Sequence, residues 1–207
     1  FALSAPWLWL AVGALALTAI IAAVLVRQPE APADSFGVAE FDLLDHHGNP
    51  VDETVFLGQP SALFFGFTHC PDVCPTTLAE MSTWFEALGE EGAALRGYFV
   101  SVDPERDTPQ VLGDYVGWLG ERVTGITGEA AEIDTLARAW GVFYEKVPLE
   151  GGDYTVDHTA SVFLLDEAGR FQGTIAYRED KQVALDKLRK LLAGPDFKPR
   201  PEHVRAG

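Results

Sequence analysis

The segment Ser61-Ala62-Leu63-Phe64-Phe65-Gly66-Phe67 carries no charge and no alternation of apolar with polar residues. A strand written that way is buried on both faces, so its sheet needs a covering layer above and below. Just beyond it, the only two cysteines of the chain stand in His69-Cys70-Pro71-Asp72-Val73-Cys74-Pro75. A buried strand that runs straight into a pair of thiols constrains both the fold and the chemistry.

The elements around that strand alternate. Phe36–Leu44 reads as a short strand, followed by a turn at His47-Gly48-Asn49-Pro50. Pro75 suits the first turn of a helix, and Leu78, Met81, Phe85 and Leu88 then recur at helical spacing. Gly97–Val102 is the next strand. Thr108 caps a helix that begins at Pro109 and runs to Leu119. A short strand at Val123–Ile126 and a helix over Glu129–Trp140 follow. Tyr144–Asp157, with its glycines and a proline, reads as a loop or a hairpin. Ala160–Leu165 and Arg170–Ala176 form a hairpin about Asp166-Glu167-Ala168-Gly169. Lys181–Leu192 closes as a helix with Leu185, Leu188, Leu191 and Leu192 on one face, and Gly194-Pro195 ends it. The order β-β-α-β-α-β-α-β-β-α predicts an α/β, three-layer domain of the thioredoxin-like kind, preceded by an N-terminal transmembrane helix.

That helix is expected at Trp7–Val26 (WLWLAVGALALTAIIAAVLV), since about 20 apolar residues span a bilayer core. A cleaved secretory signal has a shorter apolar region, of about 7–15 residues, than this one. Trp7 and Trp9 also suit an interfacial aromatic anchor. The expected organisation is a flank at 1–6, the anchor at 7–26, a linker at 27–35, one domain at 36–194 and a tail at 195–207. The linker RQPEAPADS is semi-rigid in composition and reaches at most about 30 Å. The 207 residues include 15 Lys and Arg against 31 Asp and Glu, a formal charge of −16. Such a surface repels nucleic acid and anionic lipid; it serves solubility first, and steering of a basic partner is the sharper alternative. Arg27 alone does not orient the anchor by charge.

Two thiols at this position can close a disulfide or hold a soft metal. A helix N-terminus favours thiolate over thiol. Residues at i and i+4 share a helix face, which would aim both sulfurs one way. A bridge across so short a loop gains little as a structural disulfide. Structural zinc normally takes four ligands, and there is no second cysteine pair. Thiolate softness selects Cu(I), for which one further ligand completes a trigonal site. Of the five histidines, His46 and His47 lie in a polar turn and are expected to face solvent. His203 is in the tail, and His69 projects away from its neighbour Cys70. His158 precedes the strand Ala160–Leu165, and the thioredoxin-like order puts the loop before that strand opposite the cysteines.

The segments FFGFTHCPDVCPTTLAEM (Phe64–Met81), VSVDPERDTP (Val100–Pro109) and YTVDHTASVFLLD (Tyr154–Asp166) together resemble the Sco/SenC family of membrane-anchored copper-binding proteins. The similarity in order and spacing runs from about Glu40 to Leu192, with the N-terminal anchor in addition. The resemblance implies a thioredoxin-like fold and a copper ion, as Cu(I) or also as Cu(II), held by Cys70, Cys74 and His158. It implies delivery of copper to, or thiol preparation of, a cytochrome c oxidase subunit that carries a copper centre, with an upstream copper donor or thiol reductant. It also implies a single-pass protein of the inner membrane with its domain in the periplasm, or in the intermembrane space if mitochondrial.

Asp103, Pro104, Arg106 and Asp107 read as a strand-to-helix turn held by local bonds. Asp72 and Asp157 are carboxylates that would orient ligands. A rival reading is a thiol–disulfide oxidoreductase in which Cys70 attacks and Cys74 resolves, with His158 dispensable. Phe67-Thr68-His69-Cys70-Pro71 also has a slight similarity to the thiol peroxidases.

Overall fold

A computed structural model describes residues 36, 37 and 39–194. The expected flank, membrane anchor, linker and tail therefore lie outside the described residues, as does His203. Among the described residues no helix is long and apolar enough to cross a membrane.

In chain order the strands are β1 (Leu43–Asp45), β2 (Pro50–Val51), β3 (Ser61–Gly66), β4 (Arg96–Ser101), β5 (Val123–Thr127), β6 (Tyr144–Pro148), β7 (Tyr154–His158), β8 (Val162–Leu165) and β9 (Phe171–Ile175). The helices are α1 (Val73–Leu88), α2 (Pro109–Val116), α3 (Ala130–Ala139) and α4 (Lys181–Ala193). The main sheet has the order β2-β1-β5-β4-β3-β8-β9, and β6 and β7 pair separately. β3 is central, parallel to β4 on one side and antiparallel to β8 on the other.

The unbroken apolar pattern of β3 follows from that place: every residue of SALFFG is buried. Phe64 and Phe65 point to opposite faces and are both fully buried, each stabilising the fold by about 1.5–3 kcal/mol. On one face Gly97 and Gly125 leave room for Met81 and Phe85 of α1 and Leu112 of α2, and α4 packs beside α1. On the other face Phe163 meets Trp140, which follows α3, and Tyr98 meets Phe56. Thr108 caps α2 as its sequence predicts, its hydroxyl accepting the Val111 N–H at 3.3 Å.

One segment departs from the pattern-based expectation, and another takes one of its two expected forms. Of the segment Phe36–Leu44 only Leu43 and Leu44 join the sheet, in a strand that runs on to Asp45. Its start is tied elsewhere: the Gly37 N–H bonds the Ala139 carbonyl at 2.9 Å, and Phe36 packs edge-on to Trp140. Tyr144–Asp157 is a hairpin, continued through His158 and turned at Gly151 and Gly152, both in the left-handed region.

Candidate metal centre

Topology brings three loops to one end of the sheet. β3 and β4 are parallel, with Gly66 beside Ser101, so the loops that follow them emerge together. β8 runs the other way, so the residues that precede it arrive at the same end. The first loop carries Cys70, the second is the Asp103–Asp107 turn, and the third is the end of β7 with His158. Ligand sites of open α/β sheets lie at such strand ends.

The donor atoms of Cys70, Cys74 and His158 lie within 4.8 Å of one another. Cys74 Sγ and His158 Nε2 are 3.3 Å apart. His158 Nδ1 is 3.0 Å from the Thr159 carbonyl, which can only accept, so Nδ1 carries the proton and Nε2 offers its lone pair to the thiols. The edges or faces of Phe64 and Phe67 lie against the imidazole and fix its plane. Cys74 is fully buried and Cys70 half-buried.

The helix start explains the arrangement of the sulfurs. α1 begins at Val73, so Cys70 lies before it, and the two cysteines do not share a helix face as their i, i+4 spacing suggests. The Cys70 N–H turns back to the Phe67 carbonyl. Cys70 Sγ then accepts the Cys74 N–H at 3.4 Å, taking the place of a capping oxygen that Asp72 does not supply. The Cys70 thiol is held down to about 4, first by the hydrogen bond from the Cys74 thiol and further by the Cys74 and Asp72 N–H groups, against the effect of burial. Cys74 is pushed up, first by donating that bond, then by burial and by the Cys70 charge. At neutral pH the pair is one thiolate and one thiol.

Gly66 makes this packing sterically feasible. A Cβ on it would lie 2.6 Å from Cys74 Sγ and 2.8 Å from Phe99 Cε2. Nothing in the sequence pattern singled it out, although it is the one residue without a side chain in Phe64-Phe65-Gly66-Phe67.

The Asp103–Asp107 turn reaches further than local bonds. Buried Asp107 accepts the Thr68 N–H at 2.9 Å, the Thr68 hydroxyl at 2.6 Å and the Ser101 hydroxyl at 2.6 Å. Buried Asp103 accepts the Tyr154 hydroxyl at 2.7 Å and pairs with Arg106 Nε. The turn thus touches both the cysteine loop and the hairpin that carries His158.

The remaining expectations divide. Asp72 is exposed and bonds Thr76 and Tyr177, so only its backbone N–H serves Cys70. Asp157 is exposed on β7; the Thr159 carbonyl, not a carboxylate, orients His158. His69 is exposed and 3.9 Å from Asp107. His47 is exposed, whereas His46 is half-buried and its Nδ1 accepts the Gly125 N–H at 3.1 Å. Its ring serves the fold, not solvent.

A thiolate, a thiol and an imidazole converging at the end of a thioredoxin-like sheet define a protein of soft-metal or thiol chemistry. Residues 29–193 match the SCO1/SenC family profile, and the chain belongs to that family. It is 32% identical to "Protein SCO2, mitochondrial" of Saccharomyces cerevisiae, over 80% of this chain and 55% of that protein. It is 39% identical to "Protein SCO1 homolog, mitochondrial" of Homo sapiens, over 63% of this chain and 44% of that one. The chain thus spans about half the length of the curated relatives it matches. Among solved structures, Bradyrhizobium japonicum ScoI with copper bound is 38% identical with a TM-score of 0.68, covering 74% of this chain and 98% of that one. Arabidopsis thaliana ScoI with copper bound is 34% identical with a TM-score of 0.71, covering 76% of this chain and 98% of that one.

Proposed function

We propose that this chain is a copper metallochaperone for cytochrome c oxidase assembly, taking Cu(I) as cargo on Cys70, Cys74 and His158. The observation that carries the reading is the convergence of those three donors within 4.8 Å. Two sulfurs and one imidazole suit Cu(I) better than a hard cation. Copper-bound structures of family members support it.

The chain's own groups set the order of events. Cys70 is already a thiolate at neutral pH and is half-exposed, so it meets incoming copper first. Cys74 must then lose its proton, and His158 Nε2 stands 3.3 Å away to accept or relay it. The Thr159 carbonyl keeps the imidazole turned toward the sulfurs. Copper leaves by stepwise exchange onto the thiols of an oxidase subunit that carries a copper centre, and an upstream donor or thiol reductant restores the site. Oxidation of the pair to a disulfide removes two donors at once, so the redox state gates loading. The apolar stretch Trp7–Val26 would anchor the domain on the outer side of the inner membrane, in the periplasm or intermembrane space.

The same asymmetry favours a second reading, a thiol–disulfide oxidoreductase. The Cys70 thiolate would attack a partner disulfide, releasing one partner thiolate. Deprotonated Cys74 would then attack Cys70 Sγ, releasing the second and leaving Cys70 and Cys74 joined. Here the geometry changes the sequence-based expectation that His158 is dispensable: its Nε2 is the near acceptor for the Cys74 proton. Loss of His158 would slow both activities, so metal content discriminates better than turnover. Full-length protein purified reduced in detergent and loaded with Cu(I) is expected to hold one copper per chain. Cys70→Ser, Cys74→Ser and His158→Ala should each lower that content or its affinity. Undiminished stoichiometric copper in all three variants would show the assignment to be wrong.

A further inference from the structure

The hairpin that carries His158 forms its own two-stranded sheet, separate from the main one. An isolated hairpin is marginally stable in water. The position of its histidine therefore depends on side chains that fasten it to the domain. At its base the two strands are closed on each other: the Thr159 N–H bonds the Phe143 carbonyl, and the Phe143 N–H bonds the Thr159 hydroxyl, both at 3.0 Å. Val156 is buried between base and tip.

The tip end is fastened by the Asp103–Asp107 turn. The Tyr154 hydroxyl donates to buried Asp103 at 2.7 Å. Arg106 bonds Asp103 through Nε, and its Nη1 donates to the Tyr154 carbonyl at 3.0 Å and to Asp153 at 3.2 Å. The guanidinium lies 3.8 Å from the centre of the Tyr154 ring. On the other strand Lys146 pairs with Glu105 at 2.7 Å and lies 4.6 Å from the same ring. Apart from the stacking of Lys146 on Tyr154, which lies within the hairpin, every one of these contacts comes from one turn.

That turn also holds the other half of the site. Asp107 grips Thr68, which leads into the cysteine loop. The Ser101 hydroxyl ties the Asp107 carboxylate to the Asp103 backbone, donating to Asp107 at 2.6 Å and accepting the Asp103 N–H at 3.0 Å. A charge-assisted fork of this kind is both strong and directional.

We propose that Asp103, Arg106 and Tyr154 form a latch that sets the register between the His158 hairpin and the cysteine loop, which makes them positioning residues for the copper site. The proposal rests on the copper reading above. With the latch made, the hairpin is fixed at both ends. With it released, the hairpin pivots about the Phe143–Thr159 base, and the imidazole next to the pivot turns out of line with the sulfurs.

The test is a double-mutant cycle in the full chain, read as Cu(I) affinity by competition with a chromogenic chelator. Tyr154→Phe removes only the bond to Asp103, and Arg106→Met removes the fork and keeps most of the packing volume. Arg106→Met should weaken Cu(I) binding by about 10- to 100-fold, and Tyr154→Phe by less. Neither change should weaken binding further in a His158→Ala background, because the latch acts through that imidazole. An equal loss in both backgrounds, or no loss in either, overturns the proposal. Amide hydrogen exchange of the metal-free protein gives a second readout. In Arg106→Met the β6–β7 amides should exchange faster while those of β3 and β4 stay protected. Unchanged β6–β7 exchange overturns the latch even if the chain binds no copper, and absence of copper from the wild type counts against the copper reading alone.

Discussion

Gly66→Ala isolates the placement of Cys74 from everything else in the site. The added Cβ would lie 2.6 Å from Cys74 Sγ, 2.8 Å from Phe99 Cε2 and 3.2 Å from Phe99 Cζ. Favourable contacts begin near about 3.5 Å, so sulfur and ring must together give way by about 1 Å. Cys74 and Phe99 are both fully buried, so neither has open space to enter. Overpacking of this kind costs about 1–3 kcal/mol, or a fall in Tm of about 2–12 °C for a domain of this size. Stability alone would not distinguish a site effect from a core effect, and Gly97→Ala supplies the control. A Cβ there meets Val123 at 3.0 Å, Met81 at 3.2 Å and Phe85 at 3.3 Å, on the same face but away from the thiols. Both variants should melt earlier by circular dichroism. Gly66→Ala alone should weaken Cu(I) binding, by about tenfold or more as one thiolate is displaced. Equal copper affinities in the two variants would refute the claim that Gly66 exists to seat the Cys74 sulfur.

Two further outcomes follow from protonation. Cys70 is already ionised above pH about 4 while Cys74 is pushed up, so copper binding should release one thiol proton. Log affinity plotted between about pH 7 and 8.5 should therefore rise with a slope of one; a slope of two would mean that both thiols start protonated. His46 titrates below its ordinary value, first because of burial and then because of His47. The Gly125 N–H bond acts in the same direction, since it needs an unprotonated Nδ1. A lowered folded pKa means the unfolded chain binds the proton more readily, so stability is intact above about pH 6.5 and falls as pH drops below it. Urea unfolding at several pH values should show this slope reduced in His46→Gln, and an unreduced slope would assign it to other groups.

Residue pattern revealed the backbone of the fold and the loops that converge at one end of its sheet, for physical reasons that also explain its failures. β3 was readable because burial on both faces removes alternation, and α1 because Leu78, Met81 and Phe85 recur on its inner face. His158 was readable because the antiparallel placement of β8 forces its preceding loop to the cysteine end. Pattern reports which face is buried, however, and not which polar group finds which partner. The bond from Asp107 to Thr68 spans 39 residues and that from Tyr154 to Asp103 spans 51, and both read locally as an ordinary turn. His46 was misread for the same reason, since its acceptor role depends on Gly125, 79 residues away. Gly66 was missed because its contribution is the volume it leaves empty.

The mounting of the three donors fits the handling of cargo better than its permanent storage. Cys70 and Cys74 come from one short loop braced by Asp107 and by the start of α1. The third donor comes from a hairpin with its own sheet. Opening that hairpin breaks its bonds to the Asp103–Asp107 turn, the bond from Tyr144 to Asp134, the packing of Val156 and that of the imidazole on Phe64 and Phe67, and it leaves the backbone ladders of β3, β4 and β8 whole. A local opening of that kind costs less than global unfolding and is reached more often. On the copper reading, an incoming thiol can thus replace the imidazole first, while both sulfurs still hold the ion. Rigid mounting of all three donors on the central sheet would bind copper as well, but it would tie release to disruption of the core.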